Sequence, residues 1–189
     1  MNLLRQMSTG LRLLAVLTLV LGIGYPLLVT GIGQLAFPRQ ADGSLLVQHG
    51  TVRGSTLIGQ TFDGDDWFAS RPSAGDHDAL ASGGSNAGPS DGDLVAAIAE
   101  RRDQIAAREG VSPDAVPADA VTSSASGLDA FISPDYARLQ QARVARVRQL
   151  PPERVAALVE QATSGRSLGF LGEPRVNVVE LNAALADQG

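Results

Sequence analysis

Between Arg12 and Arg39 run 26 residues without a charge, "LLAVLTLVLGIGYPLLVTGIGQLAFP", at positions 13–38. A bilayer core is crossed by about 20 apolar residues in helical form, so this stretch can span a membrane and tilt. A cleaved signal peptide has a shorter apolar core, about 7–15 residues. The run therefore reads as a retained anchor, although Gly31-Ile32-Gly33 has the small residues of a cleavage site. On its N-terminal side stand the amine of Met1, Arg5 and Arg12, and on the other Arg39 is soon followed by Asp42. The positive-inside bias then predicts a cytoplasmic N-terminus at 1–12, a transmembrane helix at 13–38 and an extracytoplasmic domain at 39–189. Such a chain is a single-pass protein of the plasma (inner) membrane.

The anchor has a pattern of its own. Thr18, Gly22, Pro26 and Thr30 recur every four residues, and Gly24 and Gly31 are seven apart. Residues so spaced share a helix face, and small residues let membrane helices approach closely. The pattern favours a packing face toward a partner in the membrane. The bland alternative is that glycine and proline are simply commoner in membrane helices.

Beyond residue 38 the chain holds 13 arginines against 20 acids, a formal charge of −7. A nucleic-acid partner needs a basic face, so none is expected. Lysine is absent, which excludes a phosphate-loop lysine, a Schiff base and a lysine general base. Cysteine is absent too, which excludes disulfides, thiol nucleophiles and thiolate metal sites.

The outer domain reads as α+β, a single mixed domain with more helix than strand. "GSTLIGQTF" (54–62) reads as a strand, followed by a Gly-, Ser-, Asp- and Pro-rich stretch to Ser90. Connections this long are functional or disordered, and Trp67 and Phe68 argue for order through the apolar area they must bury. Ser90 reads as the cap of a helix that carries Leu94, Val95, Ile98 and Ile105 on one stripe and stops at Gly110. "SPDAV" and "PADAV" each read as a helix start with proline in the first turn. "ISPDYARLQQARVARVRQL" predicts an amphipathic helix capped by Ser133, with Tyr136, Leu139, Val147 and Leu150 inward and its arginines elsewhere. "PPERVAALVEQATSG" predicts another, ending at Gly165. "RVNVVELNAALADQ" predicts a short strand and a helix capped at Asn177.

Among sites, Ser82-Gly83-Gly84-Ser85-Asn86 has the composition of an anion nest built from successive backbone N–H groups, with a helix N-terminus nearby and Arg71 as the available cation. Asp91 and Asp93 at that terminus would repel phosphate, and on the residues alone a structural turn is favoured. Asp76-His77-Asp78 lacks the further ligands that a metal needs, and "DGDD" at 63–66 lacks the closing glutamate of a calcium loop. No metal is expected. "TSSASGLD" (122–129) does not match a nucleophile elbow, and Asp129 reads as a turn former.

Taken in order, the apolar helix, "GSTLIGQTF", "WFASRPSA", "SGGSNAGPS", "VPADAVTSSASGLDAFISPDYARLQQARVARVRQL" and "GEPRVNVVELNAAL" resemble the C subunit of the Kdp-type high-affinity potassium-transporting ATPase over nearly the whole chain. Trp67 is the main departure, where tyrosine is equally at home. The resemblance implies a non-catalytic, single-span subunit that stabilises the complex and acts as a catalytic chaperone, raising the ATP affinity of the hydrolytic subunit. It implies as partners the ATP-hydrolysing P-type subunit, the channel-like potassium-conducting subunit, a small membrane subunit and membrane lipid. It also makes Ser82, Gly83, Gly84, Ser85 and Asn86, with Gln60 and Arg71 as neighbours, candidate nucleotide contacts, and ATP the implied cofactor. The charge bias places that loop away from cytoplasmic ATP, so an effect on ATP affinity is expected as coupling between sites, with partner docking the loop's other role. A free-standing anchored binding module or hydrolase is the alternative of a different class, and a cleaved secreted protein a third.

Overall fold

Leu3, Leu4, Met7 and Leu11 are good helix formers opposed only by Gly10, and the computed structural model, which describes residues 2–188, is helical from its first described residue. Met1, whose amine enters the charge argument, and Gly189 lie outside the described residues. Helix α1 (Asn2–Leu19) passes through a π-helical turn (Val20–Gly24) into α2 (Tyr25–Ala36). The wide turn has a local cause. Pro26 has no N–H to donate, and the Tyr25 N–H reaches back five residues to the Val20 carbonyl. Phe37 leaves the helical region at φ −142°, as a residue before proline tends to. Pro38 then opens the short α3 (Pro38–Ala41).

Leu3–Ala36 is 34 residues long, apolar enough to cross a membrane, and its most apolar stretch buries nothing within the chain. At 1.5 Å per residue such a helix measures about 50 Å, against about 30 Å of hydrocarbon. The flank expected at 1–12 is therefore itself helical from residue 2 and carries Arg5 and Arg12. Contacts divide the chain into units 1–45 and 46–189. Within the first of these units Ser44 N–H bonds back to Arg39 O (2.8 Å) and Gln34 Nε2 to Asp42 Oδ1 (2.8 Å).

Next in the chain, β1 (Leu45–Gln48) and β2 (Thr51–Ser55) form a two-stranded sheet. The strand expected at 54–62 ends at Ser55. The Ser55 hydroxyl accepts from Leu57 N–H (3.1 Å), and Gly59 N–H donates to Leu128 O (2.8 Å) rather than to a strand ladder. Helix α4 (Gly92–Glu109) is capped by Asp91 instead of Ser90: one Asp91 oxygen accepts from both Asp93 and Leu94 N–H (2.9 and 3.1 Å). It ends at Gly110 as expected, with Ile98 and Ile105 against the core and Val95 exposed. A 3-10 turn (Pro113–Ala115) and α5 (Ala118–Val121) realise the two proline starts.

Then follow β3 (Phe131–Ile132), α6 (Pro134–Arg148), α7 (Pro152–Gln161), β4 (Thr163–Ser164), β5 (Arg175–Asn177) and α8 (Val178–Ala186). Ser133 caps α6, accepting from Tyr136 N–H (3.0 Å), and Asn177 caps α8 through Val179 and Glu180 N–H. Helix α7 stops at Ala162, short of Gly165, because the chain turns straight into β4. The three short strands pair antiparallel in the order β3-β5-β4, with Val176 between Ile132 and Thr163. Around that sheet α6, α7 and α8 close a core of Tyr136, Val144, Val155, Leu158, Leu181 and Leu185. Burial pushes the Tyr136 hydroxyl up to about 12, helped by the negative charge of Glu109. The architecture is α+β and helix-rich, behind one apolar N-terminal helix.

Candidate functional site

Residues 65–69 of the long segment after β2 form a strap that side chains from α6 and α8 hold. Phe68 is fully buried. Its backbone N–H donates to Asn182 Oδ1 (2.9 Å), and its carbonyl accepts from Asn182 Nδ2 (2.8 Å). One residue on, Ala69 makes the same reciprocal pair with Gln140 (2.7 and 3.3 Å). Arg143 donates to the carbonyls of Asp65 and Trp67, to Gln140, and to Glu109 at 2.9 Å. Arg148 lies 4.1 Å over the Trp67 ring and bonds Asp66 O (2.7 Å). Buried peptide groups need partners. Here α6 and α8 supply them in place of a strand.

Arg143 corrects the expectation that the arginines of α6 face outward. Its side chain is 2% exposed and that of Glu109 3%, while the expected core residue Val147 is exposed. The reason lies in the facing backbone: carbonyls with no ladder demand a donor inside. The signal was present in the spacing, since Gln140 and Arg143 share the face of Tyr136, Ala137 and Val144.

With the strap fixed, the next residues reach the loop 122–129, which gathers the expected site. Arg71 Nη1 pairs with Asp129 Oδ2 (3.2 Å) and its Nη2 donates to Thr122 O (3.4 Å). Asp129 also orders its own turn as expected, accepting from Phe131 N–H (3.0 Å). Ser73 Oγ donates to Gly127 O (2.7 Å) and accepts from Gly75 and His77 N–H. Gln60 and Arg71 line one small pocket of about 220 Å³ together with His77. His77 has its pKa lowered by burial, with Asp76 opposing. Gln60 itself accepts from Ser70 Oγ (3.0 Å) and reaches toward Arg53 O.

The glycine loop attaches to the other side of 122–129. Ser82 Oγ and Gly83 N–H both donate to Ser126 O (3.0 and 2.8 Å), and Gly84 lies against Ala125. Ser85 is exposed, its hydroxyl accepting weakly from Ala87 N–H (3.4 Å), and Asn86 is left-handed at φ 55°. The residues thus do not converge on one nucleotide-sized cradle. One backbone donor of the expected nest, Gly83 N–H, and the Ser82 hydroxyl are engaged within the chain, and Arg71 is engaged by Asp129 on the opposite flank of the shared loop. Among the described residues no group of three or more acids and histidines is placed to hold a metal ion.

Gly127 is the hinge between the two flanks. It has φ +68°, and a Cβ there would stand 2.8 Å from Gly83 O. Gly127→Ala is therefore expected to lose about 1–3 kcal/mol and to loosen the glycine loop. Gly83→Ala meets nothing within 4 Å and is expected to change stability by less than about 0.5 kcal/mol. Thermal unfolding of the two full-length variants in detergent separates them.

A larger cleft, about 550 Å³, shares Arg71 and Asp129 and lies between these with Phe131 on one side and Leu171 to Arg175 on the other. Of its walls only Arg71 is among the sequence-expected site residues; Asp129, Ser133 and Gly165 are expected as a turn former, a helix cap and a helix end.

Comparison with known proteins places this arrangement. A family model described as KdpC: K+-transporting ATPase, c chain matches residues 7–187. The chain is 55% identical over 186 residues to the potassium-transporting ATPase KdpC subunit of Kineococcus radiotolerans, covering 97% of this chain and 94% of the relative. The subunit of Gemmatimonas aurantiaca is 52% identical over 185 residues, 96% and 92% of the two chains. That of Rhodospirillum rubrum is 50% identical over 194 residues, 98% and 97%. The match takes in the apolar helix and the folded unit alike, and by it the chain belongs to the KdpC family, the c chain of K+-transporting ATPases.

Proposed function

We propose that the chain is a non-catalytic accessory subunit of an ATP-driven, high-affinity potassium import complex of the plasma membrane. It crosses the bilayer once, through residues 13–38, with 1–12 in the cytoplasm and 39–189 outside. It stabilises the assembly of the ATP-hydrolysing P-type subunit with the channel-like and small membrane subunits. It also raises the ATP affinity of the hydrolytic subunit. The observation that carries the reading is the family match over 7–187, which takes in both the apolar helix and the folded unit.

The ATP effect is transmitted through the assembly rather than by contact. Supporting this is the use of Ser82 and Gly83 as donors to Ser126, together with the arginine bias toward the N-terminal end of the apolar run. Binding energy at one interface can reach a distant site only as coupling between two states of the complex, typically about 1–3 kcal/mol or 5- to 150-fold. Loss of this subunit is then expected to raise the KM for ATP by a factor in that range and to lower the yield of assembled complex.

Two measurements test it. ATPase kinetics of the complex purified with and without the chain would show equal KM if the coupling is absent. Labelling of Ser85→Cys in intact cells uses the cysteine-free background. Reaction with a membrane-impermeant maleimide is expected. Reaction only after the inner face is opened would reverse the topology and make direct nucleotide contact by 82–86 the better reading.

A further inference from the structure

Between β4 and β5 the chain makes a hairpin, residues 166–173, with an unusual tip. Ser167 and Leu171 exchange backbone bonds (both 2.9 Å), and Phe170 N–H closes a turn on Ser167 O (3.3 Å). Leu168 and Gly169 sit at its centre with φ 54° and 82°. Such turns favour Asn-Gly or Asp-Gly; a leucine there is held in a region that bulky side chains avoid. Among the described residues no burial compensates, since Leu168 is 83% exposed, Phe170 69% and Leu171 51%. The stem is fixed by an Arg166–Glu173 ion pair at 2.7 Å, so the apolar tip is presented on a tied stalk.

The hairpin forms one wall of the 550 Å³ cleft, and charge there is uneven. Asp129 is paired with Arg71, Asp119 accepts from Ser133 N–H and Oγ, and Glu173 is held by Arg166. Arg175 stacks 4.1 Å over the Phe131 ring and has no carboxylate in ion-pair range among the described residues. The hairpin that carries the strained, exposed apolar tip thus also brings Leu171 to the cleft whose wall holds the Arg175 guanidinium on its stacking platform. Arginine in that setting is suited to gripping a carboxylate, and arginine and phenylalanine are both enriched at protein interfaces.

We propose that this hairpin and the Arg175 end of the cleft dock an extracytoplasmic segment of an integral-membrane subunit of the complex, one that presents a carboxylate beside apolar side chains. The choice of a membrane subunit rests on the function proposed above. A lipid surface is the poorer occupant. The chain beyond residue 38 carries a formal charge of −7, and the tip lacks the basic cluster with which interfacial segments hold anionic lipid.

The test uses the full-length chain expressed with its complex. Benzoylphenylalanine placed at position 170 is expected, on irradiation, to yield a covalent adduct with one membrane subunit. Wild-type-like yield of complex from the Leu168→Ser, Phe170→Ser double variant would overturn the proposal, as would adducts with lipid alone or none at all. Expected instead is at least a tenfold fall in co-purified membrane subunits, with far-UV circular dichroism unchanged. Arg175→Glu is expected to give a comparable fall, and Arg175→Lys a smaller one. If the wild-type chain fails to co-purify with membrane subunits at all, the functional reading itself falls. If it assembles and the variants assemble equally, only the docking surface does.

Discussion

Arg143→Ala is expected to lower the unfolding free energy by about 3–5 kcal/mol, the usual cost of removing one partner of a buried ion pair. The loss has two parts. Glu109, 3% exposed, is left charged without its counterion, and the carbonyls of Asp65 and Trp67 lose the donor that replaces water for them. A double replacement, Arg143→Met with Glu109→Leu, separates the parts. Removing both charges relieves the ion-pair penalty, and in many proteins such exchanges are neutral or stabilising. Here the two carbonyls stay unsatisfied, so recovery is expected to be partial. Urea unfolding of the full chain in detergent, followed by circular dichroism, measures both. Full recovery by the double variant would show that the strap does not depend on the guanidinium.

Phe68→Ala is expected to cost a similar amount, about 3–5 kcal/mol, by a different route. The ring is fully buried in the core, and its loss leaves a cavity that α6 and α8 cannot collapse into while Asn182 and Gln140 hold the strap backbone in place. Phe68→Leu fills most of that volume and is expected to cost less than half as much. Because Phe68 and Arg143 hold the same few residues, their losses should not add: the double variant is expected to cost less than the sum of the singles. Additive losses in the same urea experiment would mean that the strap and the core unfold independently.

Much of the fold follows from short-range signals. Ser133 before Pro134, Asn177 before an apolar run and the stop at Gly110 are local chemistry, and each stands where the pattern puts it. The cap of α4 slipped from Ser90 to Asp91 because both residues can cap and only the backbone geometry chooses. What the sequence hid is long-range. Gln140 and Asn182 read as ordinary polar residues on helices, yet they bond a segment more than 70 positions away in chain order. No periodicity reports such a partner. The glycine loop was legible as a loop, and Gln60 and Arg71 do share a pocket. Its attachment to 124–127 was not legible, since any stretch of serine and glycine offers the same donors and acceptors. The cleft is not legible because its walls, from Arg71, Asp119, β3 and the hairpin between β4 and β5, lie far apart in the chain.

The π-helical turn at Val20–Gly24 changes the line along which the N-terminal helix can be approached. In an unbroken α-helix residues four apart drift by roughly 40° per step, so a row such as Thr18, Gly22, Pro26 slants around the cylinder. A wider turn takes more residues per revolution and cancels part of that drift. The row is thereby straightened along the helix axis over the very residues that are small. A neighbouring helix that follows it runs near parallel to this one, instead of crossing at the steep right-handed angle common for small-residue contacts in membranes. One irregular turn thus sets the angle at which a neighbouring helix would pack along this face.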